Sequence, residues 1–440
     1  MTGFVQLSPA RAASAVARTR ARLAAAGHDL PLRLWDGREL GVDREYRLVL
    51  CHPWSLRAAL VPPSDLQAGE IYVGGGVDVE GSMVAALRDI AAFRERLPLP
   101  ERLALARLLV RLPPPPQRFD GGRIALSGRR HDPDRDAAAV RHHYDVGNDL
   151  YRLFLDRDLV YSCAYFADED GHASVTDRAV LDRAQRRKLE LACRKLHLRS
   201  GERLLDVGCG WGSLVIHAAR HHDVQAVGVT LSEQQATLAR ERVAEAGLAD
   251  RVRIELCDYR DVRGRFDAIA SVGMVEHVGA DQLPNYVRTL YDTLRDGGRL
   301  LNHGITTGRR DQIRDLGAQP DNFVGRYVFP DGALVPARHM IGLLERGGFE
   351  IRDVEQLRPH YARTLQHWVA NLEGAYEEAV RLVGETTARV WRAYLAGSVV
   401  GFEVGDLGVI QVLATRGDAA LPLTRDHLRL SAASPRHDAA

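Results

Sequence analysis

The chain has 440 residues, 45% of them hydrophobic and 27% charged, enough for about two to three domains of ordinary size. Fifty-nine basic residues face 58 acidic ones, a formal charge of +1, so no overall basic field marks a nucleic-acid binder. The cysteines Cys51, Cys163, Cys193, Cys209 and Cys257 are odd in number and scattered, with no CxxC pair, which argues against a disulfide framework, structural zinc or any other bound metal.

The N-terminus has no basic start followed by an apolar stretch, and no apolar run reaches the roughly 18 residues that span a bilayer. The expectation is a cytoplasmic protein that meets the inner face of the membrane only peripherally. Residues 10–27 alternate Ala with Arg at helical spacing, and LPLRLWDGREL (30–40) predicts two strands around an Asp36-Gly37 turn. LVLCHP and VAALRDIAAFRERL extend this into a small α+β domain over 1–112. Pro113 to Pro116 and the Gly-, Arg- and Asp-rich stretch behind them predict a linker over 113–138. Its arginines Arg118, Arg123, Arg129, Arg130 and Arg135, with Arg141 just beyond, are a candidate patch for an anionic bilayer.

Beyond the linker, ERLLDVGC, VQAVGVTL, RVRIELCDY, FDAIASVGM and GGRLLNHGI are each nearly continuous in apolar residues and are separated by helix-length stretches. That alternation predicts an α/β domain over 139–417, a doubly wound, mostly parallel sheet covered on both faces. A helical stretch over 361–396 and a last strand, LGVIQVLATR, complete it. The polar, Pro- and Ala-rich segment 418–440 is expected to be a disordered tail.

LLDVGCGWGSL sets Gly208, Gly210 and Gly212 between a strand and a helix, where glycine permits a tight turn and close backbone approach to a ligand. A dinucleotide fingerprint needs its third glycine where Ser213 stands, and an acid at the end of the next strand, where Thr230 and Leu231 stand. NAD is a poor fit. Asp206, ending the first strand, and Asp258-Tyr259, closing the third, suit a glycine-rich S-adenosylmethionine (SAM) site at the point where strand order reverses.

RHHYDVGNDLYRLFLDRDLVYSCAYF (141–166), LLDVGCGWGSL, GVTLSEQQ, SVGMVEHVG, HGI (303–305) and HYARTLQHW (360–368) together resemble the cyclopropane fatty acid synthase family, over about residues 140–416. The region before them is similar in length and position to the extra domain of the bacterial phospholipid-acting members. The resemblance implies a class I SAM-methyltransferase sheet with a smaller N-terminal α+β domain, which would be associated with lipid substrate. It implies SAM contacts at Tyr161, Ser162, Gly208, Gly210, Thr230, Leu231, Gln235, Tyr259 and Arg260. The reaction it implies is methyl transfer to a cis double bond in unsaturated phospholipid acyl chains, closing a cyclopropane through a carbocation deprotonated by bound bicarbonate. Groups matching Cys163, Glu276, His303, Ile305 and Tyr361 would hold that anion, Cys163 and Ile305 through backbone. The implied partners are membrane phospholipids, a second copy in a homodimer, and a reductase if the product is a methylene branch; nucleic acid is not among them.

An alkene is a weak nucleophile and its methylation leaves a cation, so such a site must be dry, apolar and free of competing nucleophiles. Cys163 therefore reads as a buried neutral thiol. Read alone, Glu276 is an acid at a helix start, His303 a core histidine, and Tyr361 part of a core stripe with Leu365, Trp368 and Leu372. His277 is expected to be structural. Where the family commonly has HTI, the chain has His303-Gly304-Ile305, and the glycine is expected to loosen a loop after the fifth strand. The alternatives are a methylene- or methyl-branching synthase of the same family, a non-catalytic lipid-binding protein, and a small-molecule O- or N-methyltransferase.

Overall fold

The computed structural model describes residues 6–61, 64–115, 126–144, 146–309, 312–316, 318–319 and 322–429. Two compact units divide the chain: Met1–Ala125 with Leu316–Pro330 and Tyr376–Val400, and Leu126–Asp315 with Asp331–Ala375 and Gly401–Ala440.

In the first unit β1 (Leu32–Arg33), β2 (Glu39–Leu40), β3 (Tyr46–Leu50) and β4 (Val77–Gly81) form a sheet of order β2-β1-β3-β4. The expected hairpin is β1 and β2, with Leu32 opposite Leu40. Tyr46, Leu48 and Leu50 alternate into the core. Late segments of the chain complete this unit. On the helix Tyr376–Glu403, Arg392 donates to the Val79 and Gly81 carbonyls of the edge strand β4, and Arg389 to the Tyr72 carbonyl. Sequence periodicity assigns 361–396 to the catalytic domain as one helical stretch; the helix instead ends at Gly374, and Tyr376–Val400 joins the first unit. The cause is a pairing of guanidinium donors with carbonyls about 310 positions away in sequence, which no local pattern carries.

In the second unit β5 (Arg203–Val207), β6 (Gln225–Thr230), β7 (Val252–Leu256), β8 (Phe266–Val272), β9 (Leu294–Thr307), β10 (Arg314–Asp315), β11 (Ala333–Pro336), β12 (Phe349–Gln356) and β13 (Leu407–Arg416) form one sheet of nine strands. The order β10-β11-β9-β8-β5-β6-β7 is parallel from β9 to β7, and β13 pairs antiparallel with both β9 and β12. Both faces are buried. Leu204, Ala226, Ile254, Ala268 and Leu301 pack with the helices Arg178–Lys195, Ser213–His222 and Glu233–Glu245. Leu205, Val207, Val229, Ile269 and Leu300 pack with the helices Leu283–Thr293 and Ala337–Arg346. This is the doubly wound α/β domain that the apolar runs predict, and its order reverses at β5, opening a crevice at the carboxyl ends of β5, β6 and β8.

The ends of this unit differ from expectation. The linker predicted over 113–138 is shorter, because residues from Leu126 belong to the second unit and Pro133–Tyr144 is a helix. Within the candidate basic patch, Arg118 and Arg123 lie outside the described residues. Arg130 spans Asp315 through bonds of 2.6 and 3.0 Å, and Arg135 spans the buried Asp331 at the same two distances. These charges are neutralised within the fold, so only Arg129 and Arg141 of the six are exposed among the described residues. The first part of the expected tail is held down: Arg425 pairs with Asp353 at 2.6 Å, and Arg194 donates to the Arg429 carbonyl at 2.6 Å.

Candidate active site

After β5 the backbone turns through Gly208, Gly210 and Gly212, with φ of +78°, +54° and +82°, a left-handed region that costs other residues about 1–2 kcal/mol. The Gly208 and Cys209 N–H groups donate to the Val229 carbonyl at 3.0 and 2.9 Å, tying the turn to β6. A Cβ on Gly210 would meet nothing within 4 Å, so conformation and open space, not packing, call for glycine there.

The turn floors a cavity that Tyr161, Ser162, Asp206, Thr230, Leu231, Gln235 and Tyr259 also line. Thr230 Oγ1 donates to Gln235 Oε1 at 2.8 Å. Arg260, expected as a direct contact, is not part of this lining. Its guanidinium bonds both oxygens of Asp258 at 2.7 Å and reaches Asp136 at 3.1 Å, lying over the Tyr259 ring. It backs the ring instead of facing the cavity.

Sequence reasoning missed several lining residues, among them Tyr144, Lys188, Met274 and Gln411. Lys188 is buried and donates to Ser162 Oγ at 2.9 Å. Burial pulls its ammonium down to about 8 and pushes the Asp206 and Asp156 carboxyls up to about 7. One signal was available: Lys188 and Lys195 are the only lysines in the sequence, and both are buried. Arginine serves the surface, so a retained lysine marks a place where a compact ammonium is needed. His277, expected to be structural, also lines the cavity, with Tyr144 Oη 3.4 Å from its Nε2. Burial lowers its pKa to about 4, so it is neutral at physiological pH. Beside it the rings of Tyr151 and Trp211 stand 4.8 Å apart and those of Tyr161 and Trp368 5.1 Å apart. Such faces attract positive charge.

A second cluster adjoins this one. β8 pairs with β9 as far as His303, and the Gly273 N–H donates to the His303 carbonyl at 2.9 Å. Two residues on, the Ile305 N–H has passed the end of β8, and Glu276 Oε1 accepts it at 2.6 Å. Glu276 sits in the short helix Val275–Val278, and burial pushes its carboxyl up to about 7. On the other edge of β9, Gln411 of β13 is the register partner of His303, and its amide nitrogen lies 3.0 Å from Nδ1. With the amide so oriented Nδ1 accepts, and the ring hydrogen is on Nε2. Burial holds this imidazole neutral, down to about 3. Glu276 Oε2 and His303 Nε2 are both buried without a hydrogen-bond partner among the described residues.

Cys163 and Tyr361 form the other part of the predicted set. Cys163 Sγ lies 3.8 Å from the Leu357 carbonyl, and Leu357 caps the helix Arg358–Gly374 that carries Tyr361. The Leu357 N–H donates in turn to the Val409 carbonyl at 2.9 Å, and Val409 is the register partner of Ile305. One backbone chain thus joins Cys163 and Tyr361 to Ile305. None of the five lines the cofactor cavity, but Gln411, bonded to His303, does.

The expectation for Gly304 is corrected. His303, Gly304 and Ile305 lie inside the 14-residue strand β9, not in a loop after it. A Cβ on Gly304 would stand 2.3 Å from Val275 Cγ1. The glycine makes room for Val275, next to Glu276, and its role is close approach, not looseness.

No carboxylate closes β6 to hold a dinucleotide ribose, and the glycine turn, the Tyr259 ring and the Thr230–Gln235 pair suit an adenosyl group with a charged sulfonium beside aromatic faces. That is the cofactor site of a class I SAM-dependent methyltransferase. Known proteins narrow the class. The family model described as mycolic acid cyclopropane synthetase matches residues 131–412, and the chain belongs to that family. It is 41% identical over 407 residues to a "Probable fatty acid methyltransferase" of Pseudomonas putida, covering 91% of this chain and 96% of that one. It is 36% identical to the "Cyclopropane-fatty-acyl-phospholipid synthase" of Escherichia coli (strain K12), covering 63% of this chain and 67% of the relative. A solved mycolic acid cyclopropane synthase, CmaA1 complexed with SAH and CTAB, is 32% identical with a TM-score of 0.57, over 63% of this chain and 97% of that one.

Three outcomes are expected from this geometry. Gly210→Val should abolish SAM binding in a folded protein; calorimetry showing unchanged affinity would remove the turn from the site. Gly304→Ala should destabilise by about 1–3 kcal/mol through overpacking, and adding Val275→Ala should recover most of it in urea melts; no recovery would place the strain elsewhere. The third concerns pH. The Glu276 carboxyl holds its proton up to about 7 in the folded chain, against a reference of 4.5, so it destabilises the fold progressively as pH rises between those values and takes no toll below them. Relative to Glu276→Gln, the wild type should lose up to about 3 kcal/mol between pH 4.5 and pH 8, read as a widening gap in denaturation midpoints.

Proposed function

We propose that the protein transfers a methyl group from SAM to the cis double bond of an unsaturated phospholipid acyl chain and closes a cyclopropane ring, with bicarbonate as the base. The observation that carries this reading is the pair of buried polar atoms Glu276 Oε2 and His303 Nε2, without a hydrogen-bond partner among the described residues and joined to the cofactor cavity through Gln411. Bound SAM would supply an electrophilic methyl, and bicarbonate a small base. The residues fit an anion: burial raises the Glu276 carboxyl to about 7, so it can carry a proton near neutral pH, and with the Gln411 amide donating to Nδ1 the neutral His303 would offer a hydrogen on Nε2. Tyr361 and the backbone at Cys163 and Ile305 would complete the cradle. The rings of Tyr161 and Trp211, which line the cavity, would offer faces to positive charge on the substrate carbon. Cys163 is fully buried and its thiol is pushed far above its usual range, so it stays protonated and does not trap that charge.

A second reading keeps the methyl transfer but lets a hydride shift from the methyl-bearing carbon to its cationic neighbour, so that loss of a proton from the transferred methyl then leaves a methylene branch. The relative named as a fatty acid methyltransferase, which matches 91% of this chain, favours it. Among the described residues no helix is long and apolar enough to cross a membrane, and we propose that substrate is met at the bilayer surface.

The test uses labelled SAM and vesicles of a monounsaturated phospholipid, with the fatty acids analysed by mass spectrometry. Ring closure keeps two hydrogens of the transferred methyl and leaves no double bond, whereas an exomethylene product selects the second reading. Glu276→Gln, which retains the acceptor for Ile305 but cannot exchange charge, should lower turnover at least tenfold with SAM affinity little changed. Full activity of that variant in carbonate-free buffer would refute the anion's role.

A further inference from the structure

Apart from the cofactor cavity, one group of side chains among the described residues has the composition of a metal site. Cys193 Sγ and a ring nitrogen from each of His217 and His222 lie within 4.8 Å of one another. Cys193 comes from the helix Arg178–Lys195, and both histidines from the helix Ser213–His222 that leads away from the glycine turn. Glu190, one turn before Cys193 on the same helix face, places Oε2 3.1 Å from Nε2 of each histidine, while its Oε1 accepts from Arg194 at 2.7 Å. The thiol is fully buried, whereas the two imidazoles are 12% and 18% exposed, so the group opens to solvent on one side. None of these residues lines the cofactor cavity.

We propose that Cys193, His217 and His222 bind a zinc ion, with Glu190 beside both imidazoles as the neighbouring carboxylate, clamping these two helices together. One thiolate and two imidazoles are a borderline-soft donor set that favours zinc over magnesium or calcium. Tetrahedral bonds of about 2.0–2.3 Å put ligand atoms roughly 3.5 Å apart, so the side chains need to draw in by only about an ångström. Binding forms a sulfur–zinc bond as the Cys193 proton leaves to solvent, and each imidazole contributes a neutral nitrogen; no electrons are transferred. In the absence of metal the same residues form a carboxylate shared by two imidazoles, which makes a distinct experimental outcome.

The experiment titrates chelator-treated full-length protein with Co²⁺ as a spectroscopic probe, then displaces it with Zn²⁺. One equivalent of cobalt should give a near-ultraviolet thiolate-to-cobalt charge-transfer band with tetrahedral visible absorption, and zinc should abolish both and raise the melting temperature. Cys193→Ser should lose the charge-transfer band. His217→Ala and His222→Ala, at partly exposed positions, should each weaken cobalt binding at least tenfold. The proposal is overturned if the wild type shows no stoichiometric cobalt binding, or if the band survives in Cys193→Ser or in the double histidine variant.

Discussion

Strand β9 is hydrogen-bonded along both edges, and the proposed reaction site lies where one of those edges is interrupted. Its partner β8 stops at His303 and β11 takes over that edge only at Thr306, while β13 runs on to Thr307 on the other side. A buried N–H with no strand beside it must find another acceptor, and for Ile305 that acceptor is Glu276. The same antiparallel ladder brings Gln411 against His303 and, through Val409 and Leu357, fastens the start of the helix carrying Tyr361. The cluster is arranged by backbone pairing, so its geometry is as rigid as the sheet.

Burial then sets the charge state of almost every ionisable group near the cavity. Asp156, Asp206 and Glu276 are raised toward neutral pH, and His277, His303 and Lys188 are lowered. All six shifts have desolvation as the largest cause, and all move toward the uncharged form. A wall of this kind, with aromatic faces and a thiol held neutral, offers few nucleophiles to an electrophilic methyl or a carbon cation. Lys188 is the counterweight: its bond to Ser162 and its position between buried aspartates keep a polar contact where the cofactor turn meets the helix behind it.

Much of this was legible in residue order. The apolar runs of β5 to β9 predict two-sided burial, and Gly208, Gly210 and Gly212 announce the turn, because helix and strand periodicity and left-handed backbone are local properties. Where the reading failed, the deciding contact was distant. Gly304 looks permissive until Val275 is found against it; Arg130 and Arg135 look like a surface patch until Asp315 and Asp331 are placed opposite them. His277 carries no local mark that separates a cavity wall from a core, and only the scarcity of lysine along the whole chain sets Lys188 apart. The Cys193 and histidine group escaped because Cys193 stands 24 positions before His217, and the H-x4-H spacing of His217 and His222 on one helix does not mark a site without that distant thiol.

Residue order alone specifies the parallel sheet, the strand–glycine turn–helix that receives SAM, and which residues stand near the carboxyl ends of the fourth and fifth strands. Each of these depends on the period of apolar residues or on the backbone freedom of single positions, and both are written along the chain. Three-dimensional contacts settle that Tyr376–Val400 joins the first unit, that His303 lies within a strand with its Nδ1 against Gln411, and that Glu276 turns one oxygen to Ile305 and leaves the other without a partner among the described residues. Those outcomes depend on which donor meets which acceptor when distant strands are brought into register, and register is set by the packing of whole faces and not by any one segment.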